Sequence, residues 1–173
     1  MFVGLISDTH GVWDKEFQEF LEPCDQIWHA GDWGAGVDFT RKISGWKPVV
    51  GVYGNCDGQD IRGEYPAYQF FECGGMSVLM THIGGYPGKY NPWLIPIFRK
   101  AVEHYDDPNQ RIDLFVCGHS HILKVQYDSQ FKFLTMNPGA AGKQGWQPCQ
   151  TLLRFTIDGS KINDLEVIEL ERK

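Results

Sequence analysis

The segment FVGLISDTH at residues 2–10 indicates how this chain folds. It begins with an apolar run that ends at a charged residue, a pattern typical of buried strands in parallel sheets. Two side chains that are able to bind a metal ion, Asp8 and His10, follow the run directly. In open α/β sheets, ligands bind outside the carboxyl ends of the strands. The segment therefore predicts a strand that carries functional residues at its carboxyl end.

The first half of the chain repeats this pattern. Apolar runs at residues 25–30 and 48–53 predict two more strands. Apolar residues recur at helical spacing between the strands, over residues 13–21 and 37–44, and predict the connecting helices. Strands that alternate with helices are typical of a parallel sheet.

The second half changes to an antiparallel pattern. Residues 68–72 and 76–81 flank a short connection with two glycines, which predicts a hairpin. A helix is predicted over 92–105 and a buried strand over 112–117. Four more strands are predicted at residues 122–128, 131–136, 150–157 and 161–170. Together the two halves predict an α/β fold of two packed sheets between helical layers, and we expect a single domain over residues 1–173.

Composition excludes several classes of protein. The 173 residues are 42% apolar and 22% charged, as in folded soluble proteins and unlike disordered chains. The net charge of −6 gives no global basic field, so we expect no binding to duplex nucleic acid. No apolar run approaches the roughly 18 residues that a membrane span needs, so we expect no membrane association.

The N-terminus and the cysteines favour a cytoplasmic protein. The apolar run that ends before Asp8 is too short for a signal peptide. The five cysteines are odd in number, far apart and never in a C-x-x-C pair, which argues against a disulfide framework and a structural zinc site. A reducing cytoplasm fits these features best.

Side chains of ligand type follow five of the predicted strands. The candidates are Asp8, His10, Asp32, Asn55, His82, His119 and His121. Two carboxylates, one amide oxygen and four imidazoles exceed what one cation needs and suit two. Because the set lacks a thiolate, it fits Mn, Fe, Zn, Ni or Co better than a softer ion, and geometry alone does not choose among them. We expect two divalent metal ions, with Mn first and Fe, Zn, Ni, Co or Mg as alternatives. Two such ions would clamp both oxygens of an in-line displacement and would attract phosphate to an acidic protein.

The order of these motifs resembles that of a known family. The motifs are DTH at 8–10, GD at 31–32, GNCD at 54–57, TH at 81–82 and GHSH at 118–121. They look like the five successive motifs of calcineurin-like metallophosphoesterases. The GNCD form, the short chain and the NPG segment at 137–139 resemble the small phosphodiesterase branch found in bacteria and archaea. This resemblance spans residues 8–142 and implies a four-layer α/β/β/α sandwich of two mixed sheets.

The resemblance also implies a role for each candidate. Two metal ions would be held by two sets of three residues with a shared carboxylate. The sets are Asp8, His10 and His121, and then Asn55, His82 and His119, with Asp32 bridging both ions. A metal-bound hydroxide would attack phosphorus, with Asp32, Asn55 and His82 most directly involved in catalysis. The implied function is a two-metal-dependent phosphodiesterase that acts on small or activated phosphodiesters.

Two positions depart from the family pattern. Many relatives have a histidine near the leaving group where this chain has Cys56. A thiol donates hydrogen bonds weakly, so Cys56 predicts a preference for good leaving groups. Relatives commonly have Gly after the His82 position, whereas this chain has Ile83, and we expect the substrate side of the site to differ there.

Further residues near the motifs fit a supporting role. We expect His29 to support the ligands or to be structural rather than to bind metal, because the ligand set is complete without it. Asp57 fits a residue that orients a ligand, caps a turn or does both, and the first role is favoured. Several loop aromatic residues fit a stacking platform for a base or an aromatic leaving group, although packing is their commoner role. They are Trp33, Tyr86, Tyr90, Trp93 and Trp146.

Two other functions remain open on the sequence. A phosphomonoesterase or a nucleotide pyrophosphohydrolase would use the same metal ions. A scaffold like the retromer subunit related to this family would have the fold and little activity, but intact His10, Asn55 and His82 argue against it. The expected partners are small phosphate-ester substrates, and apolar surface patches would allow a homo-oligomer.

Overall fold

Ten strands and four α-helices occur in residues 1–172, the part of the chain that the computed structural model describes. The strands are β1 (Phe2–Ile6), β2 (Gln26–His29), β3 (Val49–Gly51), β4 (Tyr68–Cys73), β5 (Met76–Thr81), β6 (Leu114–Val116), β7 (Leu123–Asp128), β8 (Phe133–Pro138), β9 (Cys149–Asp158) and β10 (Lys161–Glu171). The helices are α1 (Lys15–Leu21), α2 (Val37–Trp46), α3 (Gln59–Glu64) and α4 (Ile95–Glu103), with a 3-10 turn at Pro92–Leu94 before α4. None of these helices is long and apolar enough to cross a membrane.

The strands form two mixed sheets of five strands each. The order in the first sheet is β10-β9-β1-β2-β3, in which β1, β2 and β3 are parallel and β9 is antiparallel to both of its neighbours. The order in the second sheet is β4-β5-β6-β8-β7, in which β5, β6 and β8 are parallel and the edge strands are antiparallel. The predicted α/β fold of two sheets is confirmed.

Three hydrophobic cores hold the layers together. The sheets enclose a central core, where Leu5 and Trp28 of the first sheet pack with Val78 and Val116 of the second. A second core lies between the first sheet and helices α1, α2 and α3. A third core, which contains Phe98 of α4, lies on the outer face of the second sheet. The layers are therefore helix, sheet, sheet and helix, as the resemblance implied.

Strand β1 shows why its apolar run is continuous. Val3 and Leu5 lie in the central core, whereas Ile6 packs with the helices on the other face of the sheet. Gly4 allows α1 to approach, because a Cβ at this position would overlap with the side chain of Leu21. A strand that is buried on both faces needs apolar or small residues at every position.

The structure differs from the sequence prediction mainly at short elements. Helix α3 has no counterpart among the predicted helices, because only Ile61 of its six residues is buried and no apolar periodicity arises. The helix predicted over 92–105 starts with the 3-10 turn, and its α-helical part begins at Ile95. The strand predicted over 112–117 is shorter, at Leu114–Val116.

Candidate metal centre

The seven candidate ligands lie together at the carboxyl ends of parallel strands. Each one belongs to a loop that directly follows a strand. Asp8 and His10 follow β1, Asp32 follows β2, Asn55 follows β3, His82 follows β5, and His119 and His121 follow β6. The two sheets thus contribute to one cluster, which forms where their parallel strands end.

Asp32 lies in the middle of this cluster. It is 2% exposed, and its Oδ2 lies 3.3 Å from Nε2 of His82 and 3.9 Å from Nε2 of His10. Its Oδ1 accepts a hydrogen bond from the backbone N–H of Cys56 at 2.8 Å. Burial alone raises the pKa of Asp32, but the hydrogen bond and charge of His82, with the Cys56 N–H, hold this pKa well below its usual range. The carboxylate is therefore ionised, between imidazoles from two different loops.

Asp8 contributes a buried carboxylate oxygen that has no hydrogen bond. Its Oδ2 accepts hydrogen bonds from Oγ of Ser7 at 2.6 Å and from the N–H of His119 at 3.1 Å. Its Oδ1 is buried and accepts no hydrogen bond from any residue between 1 and 172, although Nε2 of His121 lies 3.0 Å away. An unpaired buried carboxylate oxygen is costly unless it pairs with a charge or coordinates a metal ion. The position of Oδ1 fits a cation that also binds His121.

His82 is oriented as a metal ligand needs to be. Its Nδ1 lies 2.7 Å from the carbonyl oxygen of Ala30, which is only an acceptor, so Nδ1 carries a hydrogen and donates it. Its Nε2 points the other way, towards Oδ1 of Asn55 at 3.1 Å and towards Asp32. Metal-binding histidines commonly donate their second N–H to a carbonyl in this manner.

The electrostatics of the cluster favour added positive charge. Burial lowers the pKa of His82, but the hydrogen bond to Asp32 and the charges of Asp8 and Asp32 outweigh burial and raise this pKa. Burial, and then the charge of His82, lower the pKa of His119 and keep that ring neutral. The carboxylates thus attract a cation, and a neutral imidazole is available to bind it.

Five of the seven candidates have a left-handed backbone conformation. Their φ angles are 53° at Asp8, 46° at His10, 54° at Asp32, 67° at His119 and 56° at His121. This conformation costs a residue with a side chain on the order of 1 kcal/mol or more. Residues strained in this way cluster at functional sites, where the surrounding structure holds them in place. Five of the eight non-glycine residues with positive φ among residues 1–172 are thus candidate ligands.

His29 supports the cluster from behind. It is fully buried and stacks on Trp33, with ring centroids 3.6 Å apart. Its Nδ1 accepts the N–H of Gly31 at 3.2 Å, and its Nε2 lies 2.9 Å from Oγ1 of Thr9. Burial, and then the charge of His82, hold the pKa of His29 well below its usual range. The neutral ring thus braces the loops after β1 and β2.

Asp57 and Arg62 hold the loop that carries Asn55. Asp57 accepts hydrogen bonds from the N–H groups of Gly54 at 2.7 Å and Gly34 at 3.1 Å, which ties the loops after β3 and β2 together. Arg62 donates from Nε to the carbonyl of Asp57 at 2.8 Å and from Nη2 to the carbonyl of Asn55 at 3.2 Å. Sequence reasoning missed Arg62, because no motif marks it and its partners are backbone groups.

Cys56 lies at the exposed edge of the cluster. Its Sγ, a ring nitrogen of His10 and a carboxylate oxygen of Asp32 are within 4.8 Å of one another. Nδ2 of Asn55 lies 3.3 Å from Sγ. Burial and then the Asp32 carboxylate raise the pKa of this thiol to about 11. At neutral pH the thiol is therefore protonated and acts only as a weak donor.

Three overlapping groups of side chains in this cluster could each hold a metal ion. Within residues 1–172, three overlapping groups have ligand atoms within 4.8 Å of one another. They are Asp8, His10 and His121; Asp8, Asp32 and His82; and His10, Asp32 and Cys56. Mixed carboxylate and imidazole ligands suit divalent ions such as Mn, Fe, Co, Ni and Zn.

Three solved structures share the fold. An archaeal phosphodiesterase is 19% identical, with a TM-score of 0.70 over 98% of this chain and 100% of that chain. Vps29 from Entamoeba histolytica, crystallised with Zn²⁺, is 16% identical, with a TM-score of 0.67 over 100% of both chains. A predicted phosphoesterase from Streptococcus pneumoniae is 23% identical, with a TM-score of 0.61 over 99% of this chain and 89% of that chain. At these identities the likeness shows the fold.

The family follows from the sequence match. No curated protein sequence matches the chain significantly. The model of the calcineurin-like phosphoesterase superfamily domain matches residues 1–160, which is most of the chain. The motifs that were read from the sequence lie within this match, and the fold agrees with it. The protein therefore belongs to the calcineurin-like phosphoesterase superfamily.

Proposed function

We propose that this protein is a two-metal-dependent phosphodiesterase that hydrolyses small or activated phosphodiesters. The observation that carries the proposal is the pair of buried carboxylates, Asp8 and Asp32, among four histidine side chains. The unpaired Oδ1 of Asp8 and the orientation of His82 both fit a site for cations.

Each candidate ligand has a role in this proposal. In this proposal Asp8, His10 and His121 would hold one ion, Asn55, His82 and His119 would hold the other, and Asp32 would be shared between the two sets. Two observations support this division: the first three residues form one of the compact groups, and Oδ2 of Asp32 faces one histidine of each set. Two divalent ions held in this way would act as Lewis acids on the phosphoryl oxygens and lower the pKa of a bound water.

The side chains at the exposed edge determine how the leaving group is treated. Asn55 and Cys56 are both exposed at this edge. A thiol donates hydrogen bonds only weakly, so Cys56 would give little help to a departing oxygen. We therefore expect esters with good leaving groups, such as aryl phosphodiesters, to react fastest.

The identity of the metal ion and the cellular location of the protein belong to the same proposal. Mn²⁺ is the first ion to test, because the set combines carboxylate, amide and imidazole groups. Zn²⁺ comes next, because Vps29 from Entamoeba histolytica was crystallised with it. We also propose a location in the reducing cytoplasm, because the five cysteines are odd in number and never in a C-x-x-C pair.

The test measures the rate of hydrolysis of three substrates by protein from which metal has been removed and Mn²⁺ then added. The substrates are an activated diester, bis(p-nitrophenyl) phosphate, the monoester p-nitrophenyl phosphate, and a dinucleotide polyphosphate. We expect the diester to be hydrolysed fastest. His82→Ala should lower kcat/KM by more than about 100-fold, since even outer partners of metal ligands contribute 10- to 100-fold. His104→Ala is the matched control, because His104 is exposed at the end of α4 and should not affect turnover.

Other results would select another function. Faster turnover of the monoester or the polyphosphate would replace the phosphodiesterase by a phosphomonoesterase or a pyrophosphohydrolase. Metal-loaded protein that hydrolyses none of the three esters would favour a scaffold.

A further inference from the structure

A cleft of about 330 Å³ opens beside the candidate metal centre. Its lining includes two of the candidate ligands, Asn55 and His82, together with Tyr53, Arg62, Ile83 and Trp93. This volume is at the small end of the range of roughly 300–1,000 Å³ that is typical of ligand pockets. A substituent that enters the cleft is therefore in contact with two of the proposed metal ligands.

The walls of the cleft expose large apolar side chains. Trp93 is 41% exposed and Ile83 is 37% exposed. Trp93 lies in the 3-10 turn before α4, and its ring contacts that of Tyr68 with centroids 5.7 Å apart. The turn is anchored by Leu94, which is fully buried, so the position of Trp93 is set without burial of its own ring. Exposed apolar groups beside a polar site mark a place where a ligand binds.

Trp93 differs from the other aromatic residues of the predicted stacking platform. Trp33 is fully buried against His29, and Tyr90 is buried in the core that contains Phe98. Tyr86 and Trp146 do not line this cleft. Trp93 is therefore the residue of that set whose exposed ring lines this cleft.

A fixed positive charge completes the cleft. The Arg62 guanidinium lies 4.6 Å from the ring centroid of Tyr53, and its donors are bonded to backbone carbonyls. Among the described residues it forms no salt bridge with a carboxylate. In a protein with a net charge of −6, this charge attracts an anionic ligand locally.

We propose that this cleft binds the ester substituent of the substrate when that substituent carries a planar aromatic ring. A nucleobase and a simple aryl group share this chemistry. Trp93 supplies an aromatic surface for stacking, Ile83 supplies apolar contact, and the phosphate lies towards His82 and Asn55. The inference rests on the proposed function and narrows its substrate class to phosphodiesters with an aromatic substituent.

The test measures binding rather than turnover. Isothermal titration calorimetry on Mn-loaded protein compares inorganic phosphate, phenyl phosphate and adenosine 5′-monophosphate. Stacking on an aromatic side chain is worth about 10- to 100-fold in affinity, so at least one ring-bearing ligand should bind tighter than phosphate by this factor. Higher affinity for phenyl phosphate than for inorganic phosphate indicates that the cleft accepts simple aryl esters. Higher affinity for adenosine 5′-monophosphate alone indicates that it accepts nucleotide esters.

Substitution of Trp93 locates the effect. Trp93→Leu should bring the affinities of the three ligands to within about twofold of each other and leave that of phosphate unchanged. Trp146→Leu is the matched control, because Trp146 is 87% exposed and lies outside the cleft. Thermal unfolding verifies that both variants fold.

The proposal is overturned if ring-bearing ligands bind no tighter than phosphate, or if Trp93→Leu leaves their advantage intact. Turnover of bis(p-nitrophenyl) phosphate is measured separately. Turnover without the affinity difference refutes the cleft alone, whereas the affinity difference without turnover refutes the proposed function and retains the cleft.

Discussion

Replacing Gly54 by alanine should disable the candidate metal centre while the rest of the fold remains. A Cβ at Gly54 would overlap with Oδ1 and the backbone nitrogen of Asp32 and would lie 2.7 Å from its Cγ. Real Cβ atoms essentially never approach another heavy atom closer than 3.0 Å. Because a backbone atom is among those overlapped, rotation of the carboxylate alone cannot relieve the clash.

The size of the effect follows from the displacement. To go from 2.7 Å to ordinary van der Waals contact at 3.4 Å, Cγ of Asp32 must shift by 0.7 Å relative to Gly54, and the closer backbone nitrogen of Asp32 must shift further. A misplacement of about 1 Å in a catalytic constellation costs on the order of 100-fold in rate, or ~2.7 kcal/mol. Overpacking should also lower the free energy of unfolding by about 1–3 kcal/mol.

The assay compares Gly54→Ala with Gly45→Ala, the same change at a glycine in α2 where a Cβ would meet nothing within 4 Å. Metal content, kcat/KM for an activated diester and thermal unfolding are measured on both. Gly45→Ala should keep its metal and turnover and gain about 0.5–1 kcal/mol, because alanine is the better helix former. If Gly54→Ala binds metal and turns over like the wild type, Asp32 does not have the role proposed for it.

Three further substitutions test the support of the site and the core. Arg62→Lys keeps the charge but loses the fork that holds the loop carbonyls, so metal affinity in a titration should fall by about 10- to 100-fold. Asp57→Asn leaves one acceptor oxygen for two N–H groups, and chemical denaturation should show a loss of about 1–3 kcal/mol. Tyr90→Phe removes hydrogen bonds of 2.9 Å to Asp128 and Thr135. This substitution should lower the free energy of unfolding by a similar amount and leave kcat/KM unchanged. A lower kcat/KM would show that the core around Tyr90 is coupled to the site.

The positions of the candidate ligands could be predicted because they depend on strand order. Asp8, Asp32 and Asn55 each follow an apolar run, and parallel strands of one sheet end at the same edge whatever their exact register. His82 follows β5, which is parallel to β6 and so directs its loop to the same side. The assignment of particular ligands to particular ions came from the resemblance, because spacing along the chain does not determine it.

Other features could not be predicted because they depend on tertiary contacts. Helix α3 is too short to show a pattern, and Arg62 is important through backbone carbonyls, which carry no signal in a sequence. Trp33 fitted a stacking platform because it follows a motif. It is instead fully buried, and its Nε1 donates to the carbonyl of Val52 at 2.9 Å. Its ring also packs against Tyr65, which is distant in the sequence, and this tertiary contact leaves no face of the ring for a ligand.

The most direct test of the account is the number of Mn²⁺ ions bound per chain as turnover appears. Metal-free protein is titrated with Mn²⁺, and bound metal and the rate of bis(p-nitrophenyl) phosphate hydrolysis are measured at each point. The same titration is made on the Asp32→Asn variant. The account predicts that turnover follows the second ion, reaches its maximum at about two ions per chain, and is lost together with metal in the variant. Full turnover at one ion per chain, or in Asp32→Asn, would contradict it.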